Sequence, residues 1–173
     1  MWMQQTCICF CSPILTKQKI FSENLTENIS LELAKFVTDP VCIYYPAGLR
    51  ASATRYKNSL QENSKIHAMI EDVIESCHNG IVAWDKKSSI NPILIQGSDD
   101  YIKTKQRWLI LKEFFEKNNI QYIEIFSING NILSKLINLI YLLDYSTIYK
   151  AVLSNIDPTP VIPIDFVKGK LSF

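Results

Sequence analysis

Glu62 and His78 have side chains whose types suit the transfer of a proton within one small molecule. A glutamate does this when partial burial lifts its pKa towards neutrality, because it then takes a proton from one carbon and returns it to the next. A histidine titrates in the range that a second acid–base step needs. Both residues also have ordinary interpretations. Most glutamates at helix ends are solvated, and a histidine at this position caps the helix predicted to end at Cys77.

A turn that follows a buried strand is a candidate anion site. The apolar run Val41–Tyr45 leads into Gly48, which lets the backbone approach a ligand or adopt a positive φ. The helix predicted after it presents free N–H groups at its start, and Arg55 adds a positive charge. A lone glycine after a strand is more often only a turn, so Gly48 and Arg55 are candidate substrate-binding residues and no more.

These residues need a scaffold, and hydrophobic periodicity predicts one. Short apolar runs predict strands at Val41–Tyr45, Gly80–Trp84, Pro92–Gln96 and Tyr122–Phe126. Helical spacing predicts helices at Ser30–Thr38, Leu49–Leu60, Ile66–Cys77, Asp99–Asn118, Asn131–Leu143 and, after a break at Asp144, Ser146–Leu153. Prolines 158, 160 and 163 predict an extended stretch. Alternating strands and helices indicate an α/β fold with a parallel sheet, whose ligands bind at the carboxyl ends of the strands. We therefore expect the turns Pro46–Gly48, Asp85–Lys87 and Gly97–Asp99 at that edge.

Composition excludes several classes of protein. The formal net charge is +1, so nothing favours nucleic acid or an anionic membrane as a partner. We see no apolar run long enough to span a bilayer. The five cysteines, an odd number, favour a reducing cytoplasm. Cys7, Cys9 and Cys11 resemble half of a metal site, but no second pair accompanies them, so we expect neither a metal nor a cofactor.

Several motifs together carry a family resemblance. They are Arg55-Tyr56-Lys57, Gln61-Glu62-Asn63-Ser64-Lys65, Glu75 with His78-Asn79, the closing Asp157-Pro-Thr-Pro-Val161, and Asp165-x-x-Lys168. From about Pro40 to Leu171 the chain resembles the C-terminal half of the bifunctional phosphoglucose/phosphomannose isomerase family. The resemblance implies a flavodoxin-like sugar isomerase (SIS) domain over residues 39–173, with a five-stranded parallel sheet between helical layers. Residues 1–38 are then an irregular segment with a connecting helix.

The resemblance also implies a chemistry of carbohydrate metabolism, in glycolysis and gluconeogenesis. Glucose 6-phosphate or mannose 6-phosphate would be converted into fructose 6-phosphate through an enediol. Glu62 would be the catalytic base. His78 would open the sugar ring in the active site of a neighbouring subunit, and Lys168 would bind substrate. A homodimer is expected, also because the predicted helix Asn131–Leu143 is apolar nearly all round.

The sequence departs from the family at several positions. Gly80 stands where an acidic residue is usual, Arg50 occupies a normally small and apolar turn position, and Tyr56 replaces a tryptophan. Family members also carry an N-terminal SIS domain with a phosphate-binding loop rich in serine and threonine, and we recognise no such loop here. We therefore expect a separately encoded N-terminal SIS half to be needed for activity. The alternative is a catalytically inactive remnant or a sugar-phosphate-binding module.

Overall fold

A parallel β-sheet forms the centre of the molecule. The computed structural model describes residues 28–171. The strands are β1 Val41–Tyr45, β2 Ala68–Asp72, β3 Pro92–Gln96 and β4 Ile123–Phe126. They lie in the order β2-β1-β3-β4, and every pair is parallel. The α/β class predicted from the sequence is confirmed. The described residues contain four strands where five were expected.

Helices cover both faces of the sheet. The α-helices are α1 Ile29–Phe36, α2 Arg50–Ser64, α3 Val73–Ser76, α4 Ile102–Lys117, α5 Ile132–Leu153 and α6 Ile162–Leu171, and Gly80–Asp85 is a 3₁₀ helix. Apolar residues of α1, α2 and α5 pack on one face of the sheet around Ile43 and Ile95. The 3₁₀ helix and α4 cover the other face around Tyr44 and Leu94. Every residue of β1 and β3 is buried, which explains why continuous apolar runs predicted these strands correctly.

The predicted helix Ile66–Cys77 is wrong. Residues Ala68–Asp72 form β2, which pairs with β1 along its whole length, and only Val73–Ser76 is helical. Apolar residues at 69, 70, 73 and 74 fit a helical period, but pairing with β1 overrides this local pattern. β2 is an edge strand that exposes Met69, so it lacks the continuous apolar run of a central strand.

The predicted strand Gly80–Trp84 is also wrong. This segment is a 3₁₀ helix that crosses one face of the sheet, where Trp84 Nε1 donates to the Tyr44 hydroxyl at 2.8 Å. It therefore leads the chain back to the start of β3. The turn that follows, Asp85–Lys87, lines a cleft with Asn118–Gln121, the residues just before β4. It lies at the amino ends of the strands, so the expectation that it belongs to the ligand-bearing edge is wrong.

Helix α5 is continuous through Asp144, so the predicted break there is also wrong. The Asp144 carboxylate accepts hydrogen bonds from Arg55 and Ser59 of α2, which accounts for an acidic residue inside this helix. By length and composition alone α5 could cross a membrane, contrary to the expectation from the sequence. However, it packs against α1 and α2 and buries both Leu139 and the polar Thr147 in the fold.

The end of the described chain is only partly extended. Residues 154–161 after α5 form turns and irregular backbone, and α6 then begins at Ile162. No residue of α6 is buried. The prolines therefore delay the next helix by one short segment instead of keeping the whole stretch extended.

Candidate active site

Glu62 lies on the last turn of α2, at the amino-end edge of the sheet. Its exposed side chain lines a cleft of about 320 Å³. The other lining residues come from the same helix end and from the chain after α5, namely Asn58, Gln61, Lys65, Pro160, Val161, Pro163 and Ile164. Two segments far apart in the sequence thus meet at Glu62. Both segments carry motifs on which the family resemblance rests.

Lys65 connects the two walls of this cleft. Its ammonium group donates to the backbone oxygens of Glu62 at 2.6 Å, Pro160 at 2.7 Å and Pro158 at 3.5 Å. Beside it, the carboxylate of Asp157 accepts from the Thr159 N–H at 2.9 Å, and this bond holds the pKa of Asp157 below its ordinary value. The sequence motif contained Lys65, but a contact across 95 residues is not visible in a sequence.

Lys168, the other expected substrate-binding lysine, lies on α6. Its side chain is exposed, and it is not among the residues that line the Glu62 cleft. The helix begins at the cleft, and Lys168 stands six residues beyond Ile162, about 9 Å along the helix axis. The structure thus places Lys168 on the element next to Glu62 without bringing the two together.

Arg55 is engaged by a carboxylate. Its guanidinium donates to both oxygens of Asp144, with Nε to Oδ1 at 3.3 Å and Nη2 to Oδ2 at 3.0 Å. This hydrogen bonding raises the pKa of the Arg55 guanidinium. The Ser59 hydroxyl donates to the same carboxylate at 2.7 Å. Arg55 therefore joins α2 to α5. The substrate-binding role expected from the sequence stays a prediction.

Gly48 lies at the opposite edge of the sheet, where the strands end. It has a φ of +91°, so the positive φ that its turn suggested is present. The start of α5 lies close by, because a Cβ at Gly48 would be 3.7 Å from Ile132 Cδ1. Near the same edge Lys135 is 8% exposed and pairs with Asp99. Sequence analysis missed Lys135, although a single lysine within an apolar helical run was a usable signal.

His78 also lies on the carboxyl-end side of the sheet, after β2 and α3. Its side chain is exposed, and its backbone N–H donates to the Glu75 carbonyl oxygen at 2.9 Å. Glu62 lies at the amino ends of the strands. The chain just after it is fixed there, because the Val41 N–H at the start of β1 donates to the His67 carbonyl oxygen. A single chain therefore does not bring Glu62 and His78 together.

A partly buried carboxylate on β2 was not found by sequence analysis. Glu71 of β2 has an Oε2 atom that is shielded from solvent without a hydrogen-bond partner, and burial raises its pKa. Burial, together with the Glu71 charge, raises the pKa of Cys42 to about 12. A Cβ at Gly80 would lie 2.2 Å from Glu71 Oε2. Gly80, which departs from the family pattern, thus leaves space for this carboxylate.

A second groove lies between α2 and α5. It has a volume of about 470 Å³, and Asn63, Ile140, Tyr141, Asp144, Tyr145 and Ile148 line it. Within residues 28–171 no group of three or more metal-ligating side chains comes together. Cys7, Cys9 and Cys11 lie outside the described residues.

The comparison with known proteins decides the family. Residues 23–171 match the model of the bacterial phospho-glucose isomerase C-terminal SIS domain. The chain belongs to this family. A bifunctional phosphoglucose/phosphomannose isomerase of Caldicellulosiruptor bescii is 30% identical over 154 residues, covering 87% of this chain and 45% of the relative. Its counterpart in Aquifex aeolicus is 28% identical over 159 residues, covering 86% of this chain and 50% of the relative.

The chain therefore spans about half the length of these two curated relatives. A solved structure shares its fold. A glucose-6-phosphate isomerase like protein from Thermus thermophilus superimposes with a TM-score of 0.60 at 18% identity, covering 78% of this chain and 44% of that one. The SIS-type fold and the family expected from the sequence are therefore confirmed.

Proposed function

We propose that this SIS domain is the C-terminal half of a sugar-phosphate isomerase that interconverts glucose 6-phosphate or mannose 6-phosphate with fructose 6-phosphate. The observation that carries the proposal is the cleft in which Glu62 faces residues 160–164. Both walls include residues of the motifs on which the family resemblance rests, namely Gln61, Glu62 and Lys65 on one side and Pro160 and Val161 on the other. The relatives are named phosphoglucose/phosphomannose isomerases.

The proposed reaction is a proton transfer between neighbouring carbons. With the ring open, the Glu62 carboxylate removes the proton from C2 of the aldose, and the electron pair of that bond forms the enediol. The aldehyde oxygen O1 takes up a proton from water as the C1=C2 double bond forms. Glu62 then returns its proton to C1, while the O2 hydroxyl gives its proton to water and the C2 ketone forms, so that no proton is gained or lost overall. The Glu62 side chain is exposed at the rim of the cleft in this chain, so the partial burial that a glutamate base needs must come from another part of the proposed enzyme. His78 is the proposed ring-opening acid–base group, contributed by another copy of the chain.

The phosphate group needs cations from elsewhere in the proposed enzyme. Among the described residues that line the Glu62 cleft, Lys65 is the one cation, and its ammonium group is occupied by backbone oxygens. Lys168 and the Gly48 turn lie outside that cleft. We therefore propose that an N-terminal SIS half, of the kind the family resemblance implies, binds the phosphate and orients the sugar.

One observation favours the alternative, and within it a catalytically inactive remnant over a sugar-phosphate-binding module. Arg55 is held by Asp144 and Ser59, so one of the expected substrate-binding groups already has partners within the fold. The two proposals differ in whether the Glu62 carboxylate exchanges a substrate proton.

The experiment measures isomerisation of fructose 6-phosphate by this chain, alone and mixed with the half of the Caldicellulosiruptor bescii relative that it does not match. We expect little turnover alone and measurable turnover in the mixture. Glu62→Gln should lower that turnover about 10²–10⁴-fold, the usual contribution of a positioned general base. The exposed Glu113→Gln is the matched control. Full activity of Glu62→Gln would refute the assigned base, and binding of sugar phosphate without turnover would favour the module.

A further inference from the structure

Lys65 has a backbone conformation that lysine rarely adopts. It follows the last residue of α2 with a φ of 57°, in the left-handed region, and its N–H donates to the Leu60 carbonyl. Glycine is the usual residue at such a helix end, because it has no Cβ to strain. The backbone of this position therefore gives no reason for a lysine, and the reason must lie in its side chain.

The Lys65 side chain holds a distant segment. An ammonium group has three donors, and here it points at the carbonyls of Glu62, Pro158 and Pro160. We call these contacts the Lys65 bridge. The two prolines have a fixed φ and no N–H, so the segment between them is stiff and accepts a hydrogen bond without offering one at those residues. Fixing this segment at one point therefore sets the direction of the chain that follows.

That following chain forms one wall of the Glu62 cleft. Pro160, Val161, Pro163 and Ile164 line the cleft, and no residue of α6 is buried. Packing within this chain does not fix the position of α6, because none of its residues is buried. The position of α6 and of Lys168 thus depends on the segment 158–161 that precedes the helix. We propose that Lys65 is a positioning residue, which holds residues 158–164 against the end of α2 and so shapes the Glu62 cleft. That this cleft binds substrate rests on the proposed function.

The test measures amide hydrogen exchange over residues 158–171 in the full chain by mass spectrometry. The N–H groups of Ile164 and Asp165 bond to the Val161 carbonyl and report on the start of α6. We expect Lys65→Met and Lys65→Gly to speed exchange in this segment about tenfold, and Lys65→Arg to restore part of the protection. Lys57→Met is the matched control, because Lys57 lies on the same helix and its side chain makes no hydrogen bond or ion pair to a described residue.

Lys65→Gly separates the side chain from the backbone. Glycine suits the left-handed conformation, so the urea midpoint of global unfolding should stay unchanged or rise while the segment loosens. Wild-type exchange in both Lys65→Met and Lys65→Gly would overturn the proposal, as would equal loosening in Lys57→Met. The exchange measurement needs no substrate, so it tests the role of Lys65 even if the protein proves to have no isomerase activity. In an active assembly, Lys65→Met should lower kcat more than it changes KM, and Lys65→Arg should recover part of kcat.

Discussion

Glu62 lies at the amino ends of the parallel strands and His78 at their carboxyl ends, so the length of β2 separates them. Glu62 ends α2 beside the start of β1, and His78 follows β2 where the strands end. The five residues of β2 span about 16 Å, far beyond hydrogen-bond distance. If both groups act on one substrate, they must come from different chains. The expectation that His78 serves a neighbouring subunit thus stays a prediction, and the geometry within one chain is compatible with it.

The first prediction concerns Arg55 and Asp144. Arg55→Ala should lower the free energy of unfolding by about 1 kcal/mol, because it removes hydrogen bonds to a partly shielded carboxylate. Urea unfolding of Arg55→Ala, Asp144→Ala and the double variant measures the coupling between the two side chains. If the coupling is near zero while Arg55→Ala raises KM for fructose 6-phosphate in an active assembly, Arg55 binds substrate instead.

The second prediction concerns pH and Glu71. Burial raises the pKa of Glu71 above its ordinary value of 4.5. The folded protein therefore favours the neutral acid, and the stability this provides is present below about pH 4.5 and lost as pH rises through the raised folded-state pKa. Glu71→Gln should make the free energy of unfolding fall less steeply with rising pH. Urea titrations at several pH values measure this slope.

Glu113 is the control for Glu71, because its pKa is shifted in the opposite direction. Lys117 lowers the pKa of Glu113, so the contribution of Glu113 is present above its ordinary pKa and lost as pH falls. Glu113→Gln should therefore change the acid side of the profile alone. Identical profiles for the wild type and Glu71→Gln would show that Glu71 carries no burial penalty.

The third prediction concerns self-association through α5. Its outer side exposes apolar residues, among them Tyr145, Ile148 and Val152. Exposed apolar area of this kind is typical of an interface, so the chain should sediment as a dimer or larger species at micromolar concentration. Ile148→Glu should shift it towards the monomer, while Ile110→Glu on α4, also an exposed isoleucine, should not. A wild-type chain that sediments as a monomer would contradict this prediction.

The central strands could be predicted from the sequence, but the edge strand could not. Val41–Tyr45 and Pro92–Gln96 are buried on both sides, so their apolar runs are continuous. The signal of β2 is weaker because its outer residues are partly exposed, and its apolar spacing also fits a helix. Its true state depends on pairing with β1, which is a contact between distant residues.

The candidate site shows the same division. The motif around Glu62 identified a residue that does line a cleft, because family motifs record residue types in order. The Lys65 bridge spans 95 residues, and the space that Gly80 leaves for Glu71 depends on how β2 meets the 3₁₀ helix. Neither relationship has a local pattern in the sequence, so only the folded chain shows them.

The most direct test of the composite site mixes two defective chains. Glu62→Gln and His78→Ala are each assayed for fructose 6-phosphate isomerisation with the same N-terminal half added, then combined in equal amounts after reversible dissociation. If each site takes Glu62 from one chain and His78 from another, random dimers should regain about a quarter of the wild-type activity, because half are mixed and one of their two sites is intact. A mixture no more active than the two variants separately would contradict the account.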